Sequence, residues 1–232
     1  MAELRVVSPG NSVLHRIGWG DDPWAWADWS TAGQEGRFDG RWDDPLASYR
    51  VLYAASERVA TFVEVLAARR ALAPSLAAEL DEIDEPEPGI VTPGVLPGSW
   101  AALRSIGMAK VPGVFADITH SDSIAYLRSA MGATARALGI ATITVAHLMG
   151  DDKRFPQAVS RHVYELTEDA QPRFAGIKYP SKHGAEFDLW AIFEHPGDAD
   201  VQRIGGPGPI DLDDPNLQDA CTLHGIVLDR TL

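Results

Sequence analysis

The sequence predicts a mixed α/β or α+β fold built as a single domain. Three observations carry this. The chain has 232 residues, a length one core can organise. Strand-like and helix-like segments alternate through its second half, and no fixed-period repeat is visible. Composition agrees: 45% hydrophobic and 23% charged residues exclude wholesale disorder and collagen-like repeats.

Residues 13–19 (VLHRIGW) read as a short strand. Gly18 to Asp44 is rich in Gly, Asp and Trp without helical or strand periodicity. It holds five of the seven tryptophans, Trp19, Trp24, Trp26, Trp29 and Trp42, which marks an ordered loop packed on the core or walling a pocket. Tyr49 to Ala54 (YRVLYA) is a strand with Val51 and Tyr53 on one face and Leu52 on the other. A helix follows, with Ser56 as its N-cap, Glu57 in the first turn, and Val59, Phe62, Val63 and Leu66 as its apolar stripe. A second short helix is expected over Ala71 to Leu80. A loop rich in proline and acid then covers 79–97, with six acidic residues and no basic one between Glu79 and Glu87.

In the second half, Val114 to Thr119 reads as a strand. Ser121 or Asp122 caps a helix with Ile124, Leu127, Met131 and Leu138 on its stripe, and Gly139 sits where a left-handed stop belongs. Ala141 to Leu148 is strand-like. Pro156 suits the first turn of a helix bearing Val159, Val163 and Leu166. Phe187 to Phe193 (FDLWAIF) is apolar enough for a strand buried on both faces, and Pro215 opens a last helix through Leu223.

The charge balance narrows the function. With 33 acidic residues against 20 basic ones the net charge is −13, which argues against a surface built for nucleic acid or anionic lipid. Removing the six acids of 79–87 takes it to −7, so an anionic ligand still needs a local positive pocket. A lone Cys221 supplies neither an intrachain disulfide nor a Cys-rich zinc site, which suits a reducing cytoplasm. No apolar run is long enough to span a bilayer, and the N-terminus does not read as a secretion signal, so a cytoplasmic protein is expected.

Several chemistries fail on spacing. The Gly18–Gly20 pair lacks the third glycine and the βα unit of a dinucleotide fingerprint. No Walker-type G-K-[ST] occurs. The seven histidines are dispersed, so no metal site is expected, and Ser181 in YPSKHG is not a nucleophile elbow. Arg41, Tyr53 and Glu64 remain, each with an ordinary reading. Arg41 suits a solvated counter-charge, Tyr53 a core ring, and Glu64 lies off its helix's apolar stripe, where periodicity makes it a surface residue.

Four segments in order, GRFDGRWDDP, YRVLYAAS, FVEVLA and GIKYPSKHG leading into WAIF, resemble the blocks of the RES domain, named for Arg, Glu and Ser. The resemblance runs from HRIG near residue 15 to about Phe193, leaving 194–232 as a C-terminal extension. RFPQAVSRHVYE is similar to a segment of an actinobacterial-type branch. The resemblance implies the toxin half of a bacterial toxin–antitoxin pair, a fold similar to ADP-ribosyltransferases with central β-sheets flanked by helices, and NAD⁺ as consumed substrate. It implies a small helix-turn-helix antitoxin as partner, with no direct nucleic-acid contact and no membrane contact by this chain. The oligomeric state stays open.

Residue by residue, the resemblance points to Arg41, Tyr53, Glu64 and Ser181, with Arg16 and His183 as secondary candidates. Arg41 offers a fork of donors to the pyrophosphate, with Arg16 as a further phosphate contact. Tyr53 can stack on nicotinamide. Glu64 can stabilise positive charge developing on the ribose. Ser181 can bond the ribose or a phosphate, or simply cap its turn, and His183 gives a polar wall. The Trp-rich segment from 19 to 42 is the expected cover. Water, inorganic phosphate as co-substrate, or a protein side chain can accept the ADP-ribosyl group, so glycohydrolase, phosphorylase and ADP-ribosyltransferase stay open beside a non-catalytic binding module. The chain departs from the common pattern at Asp43, where many relatives carry Asn, and in the acidic loop.

Overall fold

The computed structural model describes residues 2–33, 35–72, 92–196 and 201–230. Its strands are β1 (Val6–Val7), β2 (Leu14–Trp19), β3 (Val51–Ala55), β4 (Val95–Pro97), β5 (Arg104–Lys110), β6 (Phe115–Asp117), β7 (Thr167–Glu168), β8 (Gln171–Pro172), β9 (Gly176–Pro180), β10 (Asp188–Phe193), β11 (Gln202–Pro209) and β12 (Val227–Asp229). Its α-helices are α1 (Arg58–Leu66), α2 (Gly98–Ala102), α3 (Ser121–Ala130), α4 (Gly132–Ala137), α5 (Val145–Met149), α6 (Arg154–Glu165) and α7 (Pro215–His224).

Eight strands form one sheet in the order β1-β6-β9-β10-β3-β2-β5-β11. All neighbours are antiparallel except β6 and β9. β4 and β12 make a small parallel pair, and β7 and β8 a hairpin. The fold is mixed α+β around a central sheet, as the sequence predicts. Within the described residues no helix is long and apolar enough to cross a membrane.

The central position of β10 follows from its sequence. Leu189 to Phe193 are all buried, since one face meets helices and the other a folded loop. β3 lies beside it in register, Tyr53 opposite Ala191. Alternation sorts the side chains as expected: Leu52 and Ala54 join Trp24, Phe115, Trp190 and Ile192 in one core, while Val51, Tyr53 and Ala55 face Ala191, Phe193 and residues of α3, α4 and α6 in another. A third core joins Phe62, Val63 and Leu66 of α1 to Trp100 of α2 and Leu217, Ala220 and Cys221 of α7.

Several local expectations change. Ser56 does not cap α1, because its Oγ accepts from the Trp190 indole N–H at 2.9 Å, and Glu57 takes the cap position without a side-chain bond. His120, rather than Ser121 or Asp122, caps α3 by accepting from the Asp122 N–H. The helix expected to reach Leu138 is interrupted at Met131 and resumes as α4, and Gly139 beyond it has the expected left-handed φ of 79°. Ala141 to Leu148 is not a strand. The Thr144 N–H and hydroxyl meet His147 Nδ1, and this reciprocal cap starts α5 instead. The helix expected over 71–80 and most of the acidic loop fall outside the described residues, while the loop's end, Val95–Pro97, forms β4.

Candidate active site

Three elements converge on a cavity of about 330 Å³. The loop before β3 brings Gly40 and Arg41, β3 brings Tyr53, and α1 brings Thr61, Glu64 and Val65. Arg16 on β2, Met149 at the end of α5, Tyr179 on β9 and Lys182 complete the wall. Spacing explains the contribution of α1. Thr61, Glu64 and Val65, at i, i+3 and i+4, form a second stripe beside the core stripe of Phe62, Val63 and Leu66. Glu64 is therefore a cavity residue rather than the surface residue periodicity alone gives.

Arg41 is anchored through one nitrogen. Its Nη1 donates to the Leu148 and Gly150 carbonyls, at 3.1 and 2.5 Å, at the C-terminus of α5. Its Nε and Nη2 have no hydrogen-bond partner within the described residues. Gly40 and Trp42, its chain neighbours, are held on both sides. The Gly40 N–H donates to Asp43 and its carbonyl accepts from Gln157. The Trp42 N–H donates to the Tyr53 hydroxyl and its carbonyl accepts from Ser160. Gln157 and Ser160 lie one turn apart on α6, so that helix fixes the height of the arginine.

Arg16 donates from Nη1 to the Tyr53 carbonyl at 3.1 Å, while its buried Nε has no hydrogen-bond partner within the described residues. Burial pushes its pKa down to about 10, which leaves it a cation at neutral pH. Neither Arg16 nor Arg41 is in an ion pair within the described residues. Within the described residues neither guanidinium touches a carboxylate, and Glu64 on the same wall is within the electrostatic reach of Arg41.

Glu64 accepts a 2.5 Å hydrogen bond from the Ser181 hydroxyl. Burial raises its pKa above the usual carboxylate range, against the pull of Ser181, Arg41, His224 and Lys182. Ser181 is 6% exposed and stands behind Glu64 rather than in the cavity wall. Its proton goes to Glu64, and its oxygen accepts from the His183 N–H at 2.9 Å. The structure thus shows the turn-cap arrangement, with the Ser181 hydroxyl bonded to Glu64 rather than lining the cavity where it could meet a ribose or phosphate directly.

His183 does not line this cavity. Its Nδ1 meets Arg70 and its ring lies edge-on to His224, 5.2 Å between centroids. Burial, then His224, Arg70 and Lys182, push its pKa down to about 4, so it carries no charge at neutral pH. No tryptophan of the 19–42 stretch lines the cavity either; the stretch reaches it through Gly40 and Arg41 instead. Trp42 is buried behind the wall against Tyr179, at 5.3 Å, while Trp24 and Trp26 line a separate cavity of about 640 Å³. Within the described residues no group of three or more His, Cys, Asp or Glu could hold a metal.

A family model described as the RES domain matches residues 13–213. The chain belongs to the RES domain family. No curated protein and no solved structure matches it. The RES domain match passes beyond Phe193 and takes in β11, an edge strand of the same sheet. Of the candidates, the fold gathers Arg16, Arg41, Tyr53 and Glu64 on one cavity, places Ser181 against Glu64, and turns His183 aside.

Sequence reasoning missed Gly40, Thr61, Met149, Tyr179 and Lys182 as cavity residues. Tyr179 and Lys182 lie inside the GIKYPSKHG block. Strand alternation from buried Ile177 places Tyr179 on the face shared with Tyr53, a signal present in the sequence. Met149 carried no such signal, because the segment before it read as a strand.

Proposed function

We infer that this RES domain protein cleaves the bond between nicotinamide and ribose in NAD⁺ and acts as the toxin of a toxin–antitoxin pair. The observation that carries the reading is the joint placement of Glu64 with Arg16 and Arg41 on one cavity. Pockets for small ligands run from roughly 300 to 1,000 Å³, and this one is at the lower end, suited to the nicotinamide-ribose part of the molecule.

On this reading the free Nε and Nη2 of Arg41 receive phosphate oxygens, and the Arg16 guanidinium, with its Nε buried in the wall, adds positive charge to the cavity. The C1″–N1 bond breaks with its electron pair going to the ring nitrogen, which discharges the pyridinium. The ribosyl carbon gains positive charge, and the Glu64 carboxylate stabilises it. An acceptor oxygen then bonds to C1″. Water gives ADP-ribose and a proton, while inorganic phosphate gives ADP-ribose 1″-phosphate. Ser181 keeps the Glu64 carboxylate aimed.

The test is nicotinamide release from NAD⁺ by the purified protein, with and without phosphate. Release is expected, with Glu64→Gln lowering it about 100-fold or more, the scale of losing one electrostatic stabiliser. Expression of the parent should arrest growth, Glu64→Gln should not, and a neighbouring helix-turn-helix protein should relieve the arrest. Intact NAD⁺ in both buffers, with Glu64→Gln as toxic as the parent, would falsify the reading. Label moving onto a macromolecule would replace it with protein ADP-ribosylation.

A further inference from the structure

Donor chemistry alone fixes the direction of the hydrogen bonds around Tyr53. A backbone N–H can only donate. The Trp42 N–H lies 3.0 Å from the Tyr53 hydroxyl oxygen, which therefore accepts it. The phenol proton then goes to Asp43 Oδ1 at 2.9 Å, and Asp43 Oδ2 takes the Gly40 N–H at 2.5 Å. Both oxygens of a residue only 7% exposed are acceptors. An amide at position 43 could keep the Gly40 N–H only by turning its NH₂ toward the Tyr53 oxygen, which reverses that bond, so it is the carboxylate that takes the phenol proton.

The same bonds decide what Tyr53 presents to the cavity. Its hydroxyl is turned into Asp43 and Trp42, and Tyr53 lines the cavity. Within the described residues no Arg or Lys stands over that ring. The cavity's own cations are held elsewhere: Arg16 on the Tyr53 carbonyl, Arg41 on the end of α5, and Lys182 on Asp151. A phenol donating to a carboxylate gains electron density, and an electron-rich ring attracts cations more strongly.

We propose that Asp43 is a positioning residue that sets the ring preference of the cavity. Acting through the Tyr53 phenol, it selects an aromatic ring that carries positive charge, an N-alkylpyridinium, over the same ring when neutral. This rests on reading the cavity as the site of a pyridinium dinucleotide.

The experiment measures binding of 1-methylnicotinamide, an N-alkylpyridinium cation, and nicotinamide, its neutral counterpart, to the full chain by equilibrium dialysis. The parent's cation-to-neutral ratio is the reference, because Arg16, Arg41 and Lys182 on the same wall act on the cation in every variant alike. Asp43→Asn and Tyr53→Phe should each lower that ratio several-fold, up to about tenfold, the range of cation–π interactions, and adding Asp43→Asn to Tyr53→Phe should change it no further. A merely structural Asp43 would weaken both rings alike, which would overturn the proposal. So would an unchanged preference in Asp43→Asn, an equal effect of Asp43→Asn in the Tyr53→Phe background, or binding of neither ring. If Asp43→Asn does not fold, Tyr53→Phe decides alone. Nicotinamide release in the same samples separates the two readings. A tuned ring preference without NAD⁺ cleavage refutes the proposed function only, and cleavage with a preference indifferent to Asp43 refutes the tuning only.

Discussion

At the scale of single residues, the Ser181–Glu64 bond makes the sharpest prediction. Glu64 must be ionised to stabilise a ribosyl cation, and burial raises its pKa, so the proposed activity should rise with pH through a value above the ordinary glutamate range. The Ser181 hydrogen bond favours the ionised form. Ser181→Ala removes it, moves the acid limb of the pH–rate profile to higher pH, and costs more activity at acidic than at alkaline pH. A uniform loss at all pH values would instead assign Ser181 to substrate contact. Gly40 is equally constrained. A Cβ there would come within 2.4 Å of the Tyr53 hydroxyl and 2.6 Å of Asp43 Oδ2. Gly40→Ala should cost roughly 1–3 kcal/mol in thermal or denaturant unfolding, the range for overpacking a filled site, and should misplace Arg41.

At the scale of elements, α1 shows how far periodicity reaches. The spacing of Val59, Phe62, Val63 and Leu66 locates the helix and its core face, because burying an apolar stripe is a local demand. It misjudges Glu64, because whether the second face meets water or a cavity depends on β2, β3 and β9, which come from distant parts of the chain. The four blocks, read together, located the residues that converge. Their roles were less legible, since the sequence does not reveal that Ser181 spends its proton on Glu64 or that His183 turns toward α7. Thr144 and His147 override a strand-like run for a similar reason: a side-chain cap supplies partners to a segment that no sheet edge receives.

Helix α1 is tied to α7 at two points. Arg58 donates to Asp214 Oδ2, and Asp214 Oδ1 accepts from the Asn216 N–H as the α7 N-cap. His224, buried at the other end of α7, bonds through Nε2 to the Val63 carbonyl. Asp214→Asn keeps much of the cap and loses the charge pair, whereas Asp214→Ala loses both. The alanine variant should lose about 1–2 kcal/mol from the cap alone, read as a lower unfolding midpoint than that of Asp214→Asn. Equal midpoints would place the value of Asp214 in its charge.

At the scale of the whole molecule, the net charge of −13 and the cationic cavity are compatible because charge is local. Arg16 and Arg41 act at contact range on a cavity ligand, while surface carboxylates farther than about 8–10 Å are largely screened at physiological salt. The family match ends at residue 213, but the core does not. Leu217, Ala220, Cys221 and Ile226 are buried against α1, and β12 extends the pairing through β4. Burying one large aliphatic side chain contributes roughly 1.5–3 kcal/mol, so Leu217 and Ile226 together contribute about 3–6 kcal/mol by the same measure. A domain's whole stability is only about 5–15 kcal/mol. A chain ending at residue 213 also uncovers Phe62, Val63 and Leu66, on the helix that aims Glu64. It should therefore fail to show a cooperative unfolding transition, and it should release no nicotinamide. A truncated protein that melts cooperatively near the parent's midpoint would mean that α1 holds its position without α7.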